Sequence, residues 1–483
     1  MKKRILAAIL ASLMLLSTAT SCASGGETEE DTIPKQTVAE DETSAENFPD
    51  IEKQDYEGET FRMIGWTEPG HWYFAEEYKN GTGNTSILNN TIYEMNTLVE
   101  EYLNVELAYD TVDVVTGHEI FDKVNPTVMS GDDIYQLCTL HAYYDYPSFI
   151  TRNYAMDFYS LEVPDYDRQY WNRNVMDMLS IDDKAYIGLS DLCWYSLYMI
   201  YCNKDLLKDA NMEVPYQKVR NGEWTLDQFI ATTTGLYVDN GDGIRNSQDI
   251  YGFAGLWDGE GNAFMQACDI YVAAKNEDGE FELTLYGDRL VEMYDQLYNW
   301  SKDEGVLPWN FHSPAYTVDF KKNQSYFTCT GLGTHYLDAD FGVGILPLPK
   351  YDKAQQNYAH VNWGNNMILP ATIRNKVLVG QVLELMSYYS KTLVLTKYYD
   401  EVLQLRVSEA PDDRDMVELI YSTIVFDPGI AFCDGSAQLF NLVYTTCFGI
   451  REGHANISSY YQTNYKAAEK WLKSLIRKVQ RYN

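Results

Sequence analysis

Apolar residues in the first third of the chain alternate between strand and helix spacing. Residues 60–66, 105–109 and 133–140 each predict a strand. Between the first two strands, apolar side chains recur at helical spacing, at Leu88, Ile92, Met95, Val99 and Tyr102. This order of elements is typical of an α/β sheet whose strand ends point loops at a cleft.

Two later patterns predict helices. Thr225 and Gln228 form a capping box, which satisfies free N–H groups at the start of a helix. Near the C-terminus, apolar residues mark one stripe of a long helix, at Tyr461, Tyr465, Ala468, Leu472, Leu475 and Val479.

Residues 1–21 have the pattern of a cleavable signal peptide. A basic start precedes an apolar stretch at residues 5–16, which is too short to span a bilayer as a helix. Small residues 19–21 then precede Cys22 and resemble a lipobox, although Ala19 stands where that motif usually has Leu. We expect a lipid on Cys22 that tethers the protein to the outer face of a bacterial cell membrane. The alternative is an ordinary signal peptide that leaves Cys22 unmodified.

Residues 22–55 are predicted to form an acidic, disordered tether. Residues 23–50 contain nine carboxylates and one lysine among small and polar residues. Such a segment cannot bury enough apolar surface to fold, and its charges repel one another and extend the chain.

The charge and cysteine content exclude several classes of function. The formal net charge is −34, which repels phosphate backbones, and the sequence contains no P-loop or glycine fingerprint. We therefore expect no nucleic-acid partner. Seven cysteines follow Cys22, with no C-x-x-C pair and no zinc-ligand spacing, so they are interpreted as small buried hydrophobes. A single bridge between Cys433 and Cys447 stays open.

Three motifs in the middle of the chain carry a family resemblance. Residues 185–189 and 197–201 precede an N-K-D-L-L turn at residues 203–207. A helix start with Trp224, Thr225 and Phe229 follows, and residues 342–349 form a strand that ends in a Leu-Pro turn. In this order and spacing the chain resembles the extracellular solute-binding proteins of ABC importers, family 1, the sugar-binding group that includes maltose-binding protein.

The resemblance implies an α/β fold of the type II periplasmic-binding-protein kind, with two lobes joined by crossing hinge segments. Lobe 1 is expected at residues 56–175 plus 366–408, and lobe 2 at residues 176–365 plus 409–483. The crossings are expected near residues 170–185, 358–368 and 405–412. The C-terminal helix is expected to close lobe 2.

A sugar site needs flat aromatic faces together with carboxylates and amides that exchange hydrogen bonds with hydroxyl groups. Polar, aromatic-containing segments at strand ends or crossings are candidates for this role. The candidate ligand residues are Trp66, Glu68, His141, Tyr144, Asp145, Asp191, Trp194, Tyr195, Trp257, Asp258, Trp363 and Asn365. The four tryptophans are the expected stacking platforms, and Asp145, Asp191 and Asp258 the expected hydroxyl acceptors. A structural role for any single tryptophan is the alternative.

Residues 240–249 resemble a dockerin-type or EF-hand-like calcium loop. Asn240, Asp242, Asn246 and Asp249 fall at ligand positions 3, 5, 9 and 12, with Gly243 at position 6. Position 1 is Val238, and Asp239 is one residue out of register. A structural calcium is therefore one hypothesis, and a metal-free turn is the other.

The resemblance implies a monomeric binding protein that captures a sugar or oligosaccharide and delivers it to the membrane permease of an ABC transporter. No catalytic residue and no cofactor is required. A secreted glycosidase, which would use paired carboxylates, is the alternative. An adhesin or sensor on the same fold is a third interpretation.

Overall fold

The computed structural model describes residues 47–66, 87–113, 115–142, 144–193, 197–255, 258–308, 320–331, 339–397, 411–434 and 438–482. The strands are β1 Glu59–Trp66, β2 Val105–Val112, β3 Leu137–His141, β4 Tyr198–Asn203, β5 Tyr237–Val238, β6 Ile250–Gly255, β7 Ala273–Lys275, β8 Phe281–Leu283, β9 Val306–Pro308, β10 Ser325–Gly331, β11 Val343–Leu346, β12 His360–Val361, β13 Asn365–Ile368 and β14 Ile424–Val425. The helices are α1 Ile87–Leu103, α2 Glu119–Ser130, α3 Tyr146–Ile150, α4 Arg173–Leu179, α5 Lys204–Asp209, α6 Tyr216–Arg220, α7 Leu226–Thr233, α8 Asp258–Ala267, α9 Asp288–Trp300, α10 Lys376–Tyr389, α11 Pro411–Ser422, α12 Pro428–Ala431, α13 Gln438–Val443, α14 Thr445–Glu452 and α15 Ile457–Gln480.

The first sheet has the order β13-β3-β1-β2, in which β1 pairs in parallel with both β2 and β3. The later strand β13 returns from far along the chain and pairs antiparallel with β3. Helices α1 and α2 pack on these strands, and the α1 stripe Ile92, Met95 and Val99 is buried, as its spacing predicts. We call this sheet, together with α1, α2 and α10, the first lobe.

The second sheet has the order β11-β4-β10-β6-β5, with β9 paired to β6. Helices α5, α8 and α11 contact its strands, and we call this group the second lobe. The fully buried Trp224 donates its indole N–H to the Pro347 carbonyl at 2.9 Å and packs edge-on against Phe229. Thr225 caps α7 by accepting from the Gln228 N–H, but the Gln228 side chain donates to Thr232 instead of completing the box.

Three short pairings lie where the chain crosses between the two sheets. Strands β12 and β14 run parallel, Gly188 pairs with Met367, and Leu197 pairs with Asn362. His360 of β12 is fully buried; its Nε2 accepts from the Leu348 N–H at 3.1 Å, and its Nδ1 lies 2.9 Å from the Thr423 hydroxyl. Burial lowers the pKa of His360 to about 3. The imidazole therefore stays neutral at ordinary pH and joins two crossing segments.

A buried carboxylate connects the segment before the first crossing to the first lobe. Glu384 of α10 accepts from the Tyr170 hydroxyl at 2.5 Å and from the Trp171 indole N–H at 2.8 Å. Burial raises the pKa of Glu384, and these two donors act against that shift.

Residues 47–55, which were predicted to belong to the tether, pack against the first lobe. The Phe48 ring lies 5.3 Å from Tyr102 of α1 and 5.5 Å from Tyr388 of α10. The Glu52 carbonyl accepts from the Gln381 side chain at 2.9 Å. Phe48 and Ile51 give this segment enough apolar surface to pack; residues 22–46 lie outside the described part of the chain.

Six cysteines are buried, as their interpretation as small hydrophobes predicts: Cys138, Cys193, Cys202, Cys268, Cys329 and Cys433. Burial raises the pKa of the Cys193 and Cys268 thiols to about 12. These thiols are therefore protonated and unreactive at neutral pH. Among the described residues, no helix is long and apolar enough to cross a membrane.

Candidate functional site

The candidate site lies at the carboxyl ends of β1 and β3. Trp66 is the last residue of β1, and His141 is the last residue of β3. Because the two strands are parallel neighbours, their carboxyl ends meet at one edge of the sheet, where ligands bind in open α/β sheets. The prediction from strand ends therefore brings Trp66 and His141 to the same place.

Tyr144 completes this edge. Its ring lies 6.2 Å from the Trp66 ring and 5.9 Å from the His141 ring, measured between centroids. Its backbone N–H donates to the His141 carbonyl at 3.2 Å, so a tight turn follows β3 and returns Tyr144 to the strand end. We call Trp66, His141 and Tyr144 the first aromatic cluster.

The Trp66 side chain is 3% exposed. Within the described part of the chain its indole N–H has no hydrogen-bond partner. A buried donor without an acceptor costs about 1–3 kcal/mol, and the great majority of such groups are satisfied by protein, water or ligand. This N–H is therefore available to an acceptor that the described residues do not supply.

Asp145 is fully buried, and the residue adopts the left-handed conformation with φ of 68°. Its carboxylate accepts from His118 Nδ1 at 2.8 Å and from the Phe121 N–H at 3.1 Å. Burial raises the pKa of Asp145 to about 6, while these donors act against the shift. The carboxylate predicted to accept a ligand hydroxyl is thus already bonded to the protein through both oxygens.

A second aromatic group surrounds Trp363 on the crossing. We call Trp363, Tyr198, Tyr444 and Phe440 the second aromatic cluster. The Trp363 ring lies 6.5 Å from Tyr198 and 6.1 Å from Tyr444, which in turn lies 4.5 Å from Phe440. Two residues after Trp363, Asn365 pairs with His141 across β13 and β3. The crossing thus connects the two clusters, and Asn365 lies beside the first.

The contacts of Asp191 are with residues outside both clusters. It lines a cavity of about 480 Å³ together with Trp171 and Lys391, and the Lys391 ammonium is 3.6 Å from its carboxylate. Its backbone N–H donates to the Tyr170 carbonyl at 2.8 Å. The structure therefore does not group Asp191 with Trp66 and Tyr144.

Five other candidates cannot be assigned to either cluster. Glu68, Trp194, Tyr195 and Trp257 lie outside the described residues, as does Cys22. Asp258 begins helix α8, and its side chain also lies outside the description. Their roles stay predictions.

Sequence reasoning missed four contributors to these clusters. His118 bonds Asp145 from a loop 27 residues earlier, and no local motif marks that pairing. Tyr198 and Tyr444 contact Trp363, and Phe440 of helix α13 contacts Tyr444. The signal that the sequence offered was their aromatic character, which many buried residues of this chain share.

The predicted calcium loop brings together a partly different set of residues. Ligand oxygens of Asp239, Asp242 and Asp249 all lie within 4.8 Å of one another. Asp239, which is out of register in the sequence motif, joins because its carboxylate accepts from the Gly241 and Gly243 N–H groups at 2.6 and 3.1 Å. Asn240 and Asn246 each donate an amide N–H to Asp242 at 3.3 Å. The three carboxylates are hard oxygen ligands of the kind that calcium prefers.

The two clusters contain a partly exposed Tyr144 ring, buried tryptophan rings, an indole N–H and an amide. These groups suit the capture of a neutral, hydroxyl-bearing molecule, since the rings cover apolar C–H faces and the N–H groups meet hydroxyl oxygens.

No protein-family model and no curated protein matches the sequence. Solved structures do match the fold. The ABC substrate-binding protein Lmo0181 from Listeria monocytogenes, in complex with cycloalternan, has a TM-score of 0.54 at 17% identity, covering 88% of this chain and 99% of that one. An ABC transporter solute-binding protein from Thermotoga lettingae, bound with α-D-tagatose, has a TM-score of 0.54 at 14% identity, covering 86% and 100%. The maltose-binding periplasmic protein from Listeria monocytogenes, in complex with maltose, has a TM-score of 0.52 at 14% identity, covering 86% and 98%. The chain therefore has the type II solute-binding-protein fold, which confirms the fold expected from the sequence.

Proposed function

We propose that this protein is the substrate-binding component of an ABC importer and captures a neutral sugar or oligosaccharide between its two lobes. The observation that carries the proposal is the first aromatic cluster, where the buried Trp66 N–H, which no described residue accepts, lies beside the Tyr144 ring at the ends of two parallel strands. The three structural neighbours, which hold cycloalternan, tagatose and maltose, support the same class of ligand.

The chemistry of the clusters favours a sugar over an anion. Tyr144 supplies a partly exposed ring face, the Trp66 and Trp363 rings are buried within their clusters, and Asn365 supplies an amide beside His141. Among the described residues no Lys or Arg belongs to either cluster, whereas carboxylate and phosphate ligands are bound most strongly by such cations.

The crossing strands provide a mechanism for capture. A sugar that contacts the first cluster in one lobe and the second cluster on the crossing makes more contacts when the lobes close. Closure is favoured only by this difference in contact free energy. The short pairing of β12 with β14 is where the chain bends if the lobes move as hinged bodies.

The proposed partner, anchor and oligomeric state follow from the role of a substrate-binding component. The closed form would dock on a membrane permease, and the lipid on Cys22 would keep the protein at the outer face of the membrane. Such a protein works as a monomer and needs no catalytic group. The alternative of a secreted glycosidase has no support among the structural neighbours.

Isothermal titration calorimetry with maltose, tagatose and cycloalternan tests the proposal, since these span one ring to a cyclic oligosaccharide. We expect saturable binding of at least one sugar, with the sugar recovered unchanged by chromatography. Hydrolysis products would identify an enzyme instead. Absence of binding across these sugars and a wider panel of neutral glycans would refute the proposal.

A further inference from the structure

The Tyr144 ring is held by the loop that precedes α2. It packs directly on the backbone of Gly117, where an added Cβ would lie 2.4 Å from a ring carbon. The His118 ring meets the Tyr144 ring nearly edge-on, at 6.2 Å and 76°. This loop forms the wall against which Tyr144 rests.

The residue after Tyr144 adds a second constraint. Asp145 has a positive φ, a conformation that costs energy in a non-glycine residue and persists only where the surroundings fix it. The bonds from His118 Nδ1 and the Phe121 N–H to the Asp145 carboxylate supply that fixation. His118 therefore contacts both the Tyr144 ring and the residue that sets the direction of its backbone.

We propose that His118 and Gly117 are positioning residues of the ligand site: they hold the Tyr144 ring beside Trp66, so that a neutral hydroxylated ligand meets the Tyr144 face and the Trp66 N–H together. The inference rests on the proposed function for the nature of the ligand. The positioning itself is a property of the free protein and is tested there.

The first experiment is fluorine NMR on protein labelled with 5-fluorotryptophan. The ten tryptophans give ten signals, and the Trp66 signal is the one lost in Trp66→Phe. We expect His118→Ala to shift the Trp66 signal more than any other signal. His118→Asn should restore it, because the asparagine amide can donate to Asp145 much as Nδ1 does.

His454→Ala is the matched control, since the His454 ring also contacts a tyrosine ring, Tyr460, at 5.6 Å, but at the start of helix α15 and not beside Trp66. It should leave the Trp66 signal in place. An unmoved Trp66 signal in folded His118→Ala, or equal shifts in His118→Ala and His118→Asn, would overturn the proposal.

Substitution of two glycines tests the contact between the loop and the Tyr144 ring while His118 stays unchanged. Gly117 and Gly131 flank α2, and both have positive φ, at 90° and 76°. An added Cβ meets the Tyr144 ring at Gly117 and nothing within 4 Å at Gly131. We expect Gly117→Ala to shift the Trp66 signal and Gly131→Ala to leave it unchanged, although both strain the backbone. Equal effects would show that strain, not contact with Tyr144, is responsible.

Sugar affinity then gives a separate readout. With the sugar from the panel that binds most tightly, His118→Ala and Tyr144→Ala should each weaken binding about tenfold, as loss of 1.4 kcal/mol does. The double variant should bind no more weakly than Tyr144→Ala alone, because His118 acts through Tyr144. Additive losses would overturn the positioning role, whereas absence of sugar binding alongside the expected NMR shifts would contradict only the proposed function.

Discussion

At the scale of single residues, Trp66 and Trp224 differ in the hydrogen bonding of their indole N–H groups. Substitution by phenylalanine should therefore affect sugar affinity at Trp66 and stability at Trp224. Trp66→Phe keeps a ring but removes an N–H that no described residue accepts, so sugar affinity should fall by roughly 2- to 10-fold. The free energy of unfolding should change little, because relief of the unsatisfied donor offsets the packing lost with the larger ring. Calorimetry and chemical denaturation measure the two quantities.

Trp224→Phe is the matched comparison, because the Trp224 N–H already donates to the Pro347 carbonyl. Its removal leaves a buried acceptor without a donor and should cost about 1–3 kcal/mol of stability, with sugar affinity unchanged. A stability loss in Trp66→Phe as large as in Trp224→Phe would contradict the role of the Trp66 N–H.

Asp145 predicts a pH dependence with a defined sign. The pKa of Asp145 is about 6 in the folded chain, against 3.8 for an aspartate exposed to water. The folded state therefore holds the proton more tightly. This carboxyl stabilises the fold fully below about pH 4, and that contribution is lost as the pH rises through 6. The surrounding titratable groups are His118, Asp122, the Cys138 thiol and Tyr146.

Asp145→Asn removes the titration and keeps a residue type that tolerates positive φ. Its stability relative to the natural protein should therefore rise between pH 4 and 7, by an amount on the order of 3 kcal/mol. Urea denaturation at several pH values measures this difference. A constant difference across the range would contradict the expectation.

The sequence predicted which residues lie at or just after strand ends, but it did not predict which partners their side chains bond. Trp66, His141 and Tyr144 come together because parallel strands share an edge, and strand period is visible in the sequence. The engagement of Asp145 by His118 depends on a loop conformation 27 residues away, which no local pattern encodes.

At the scale of elements, the loop at residues 239–249 carries the calcium hypothesis. Three close carboxylates repel one another, and a bound calcium would remove that repulsion. At a hundred times its dissociation constant, calcium should stabilise the fold by about 2.7 kcal/mol. Thermal melts with calcium, magnesium or a chelator measure this.

Asp242→Asn is the variant for this test, since it keeps the oxygen that accepts from the Ile244 N–H and removes the charge. It should abolish the calcium response and melt like the chelated natural protein, or slightly higher. No difference between calcium and chelator in the natural protein would favour a metal-free turn.

Helices and parallel strands were the easier elements to predict, because each has a regular period over several residues. Strand β3 begins at Leu137, later than its predicted start at residue 133. Asp133 instead accepts from the Gln136 side chain and from the Arg374 N–H, and residues 133–136 precede the strand without joining it. The family resemblance placed residues 366–408 in lobe 1, but the pairing of β13 with β3 was not predicted, since more than 220 residues separate the two strands.

At the scale of the whole molecule, the two sheets and their crossing strands predict a change of shape on binding. Small-angle X-ray scattering should show a smaller radius of gyration with saturating sugar than without it. Tyr144→Ala at the same sugar concentration should stay near the open dimensions. An unchanged radius for a sugar that calorimetry shows to be bound would contradict hinge closure.

The packing of residues 47–55 on α1 and α10 determines which lobe is attached to the chain that precedes it. Phe48, Ile51 and Glu52 all contact the first lobe. A force applied through the amino-terminal end therefore acts first on that lobe. The crossing strands β12 and β14 feel that force only after it. If the two lobes move as hinged bodies, the first lobe is therefore the one that stays with the amino-terminal end of the chain, and the second lobe is the one that moves relative to it.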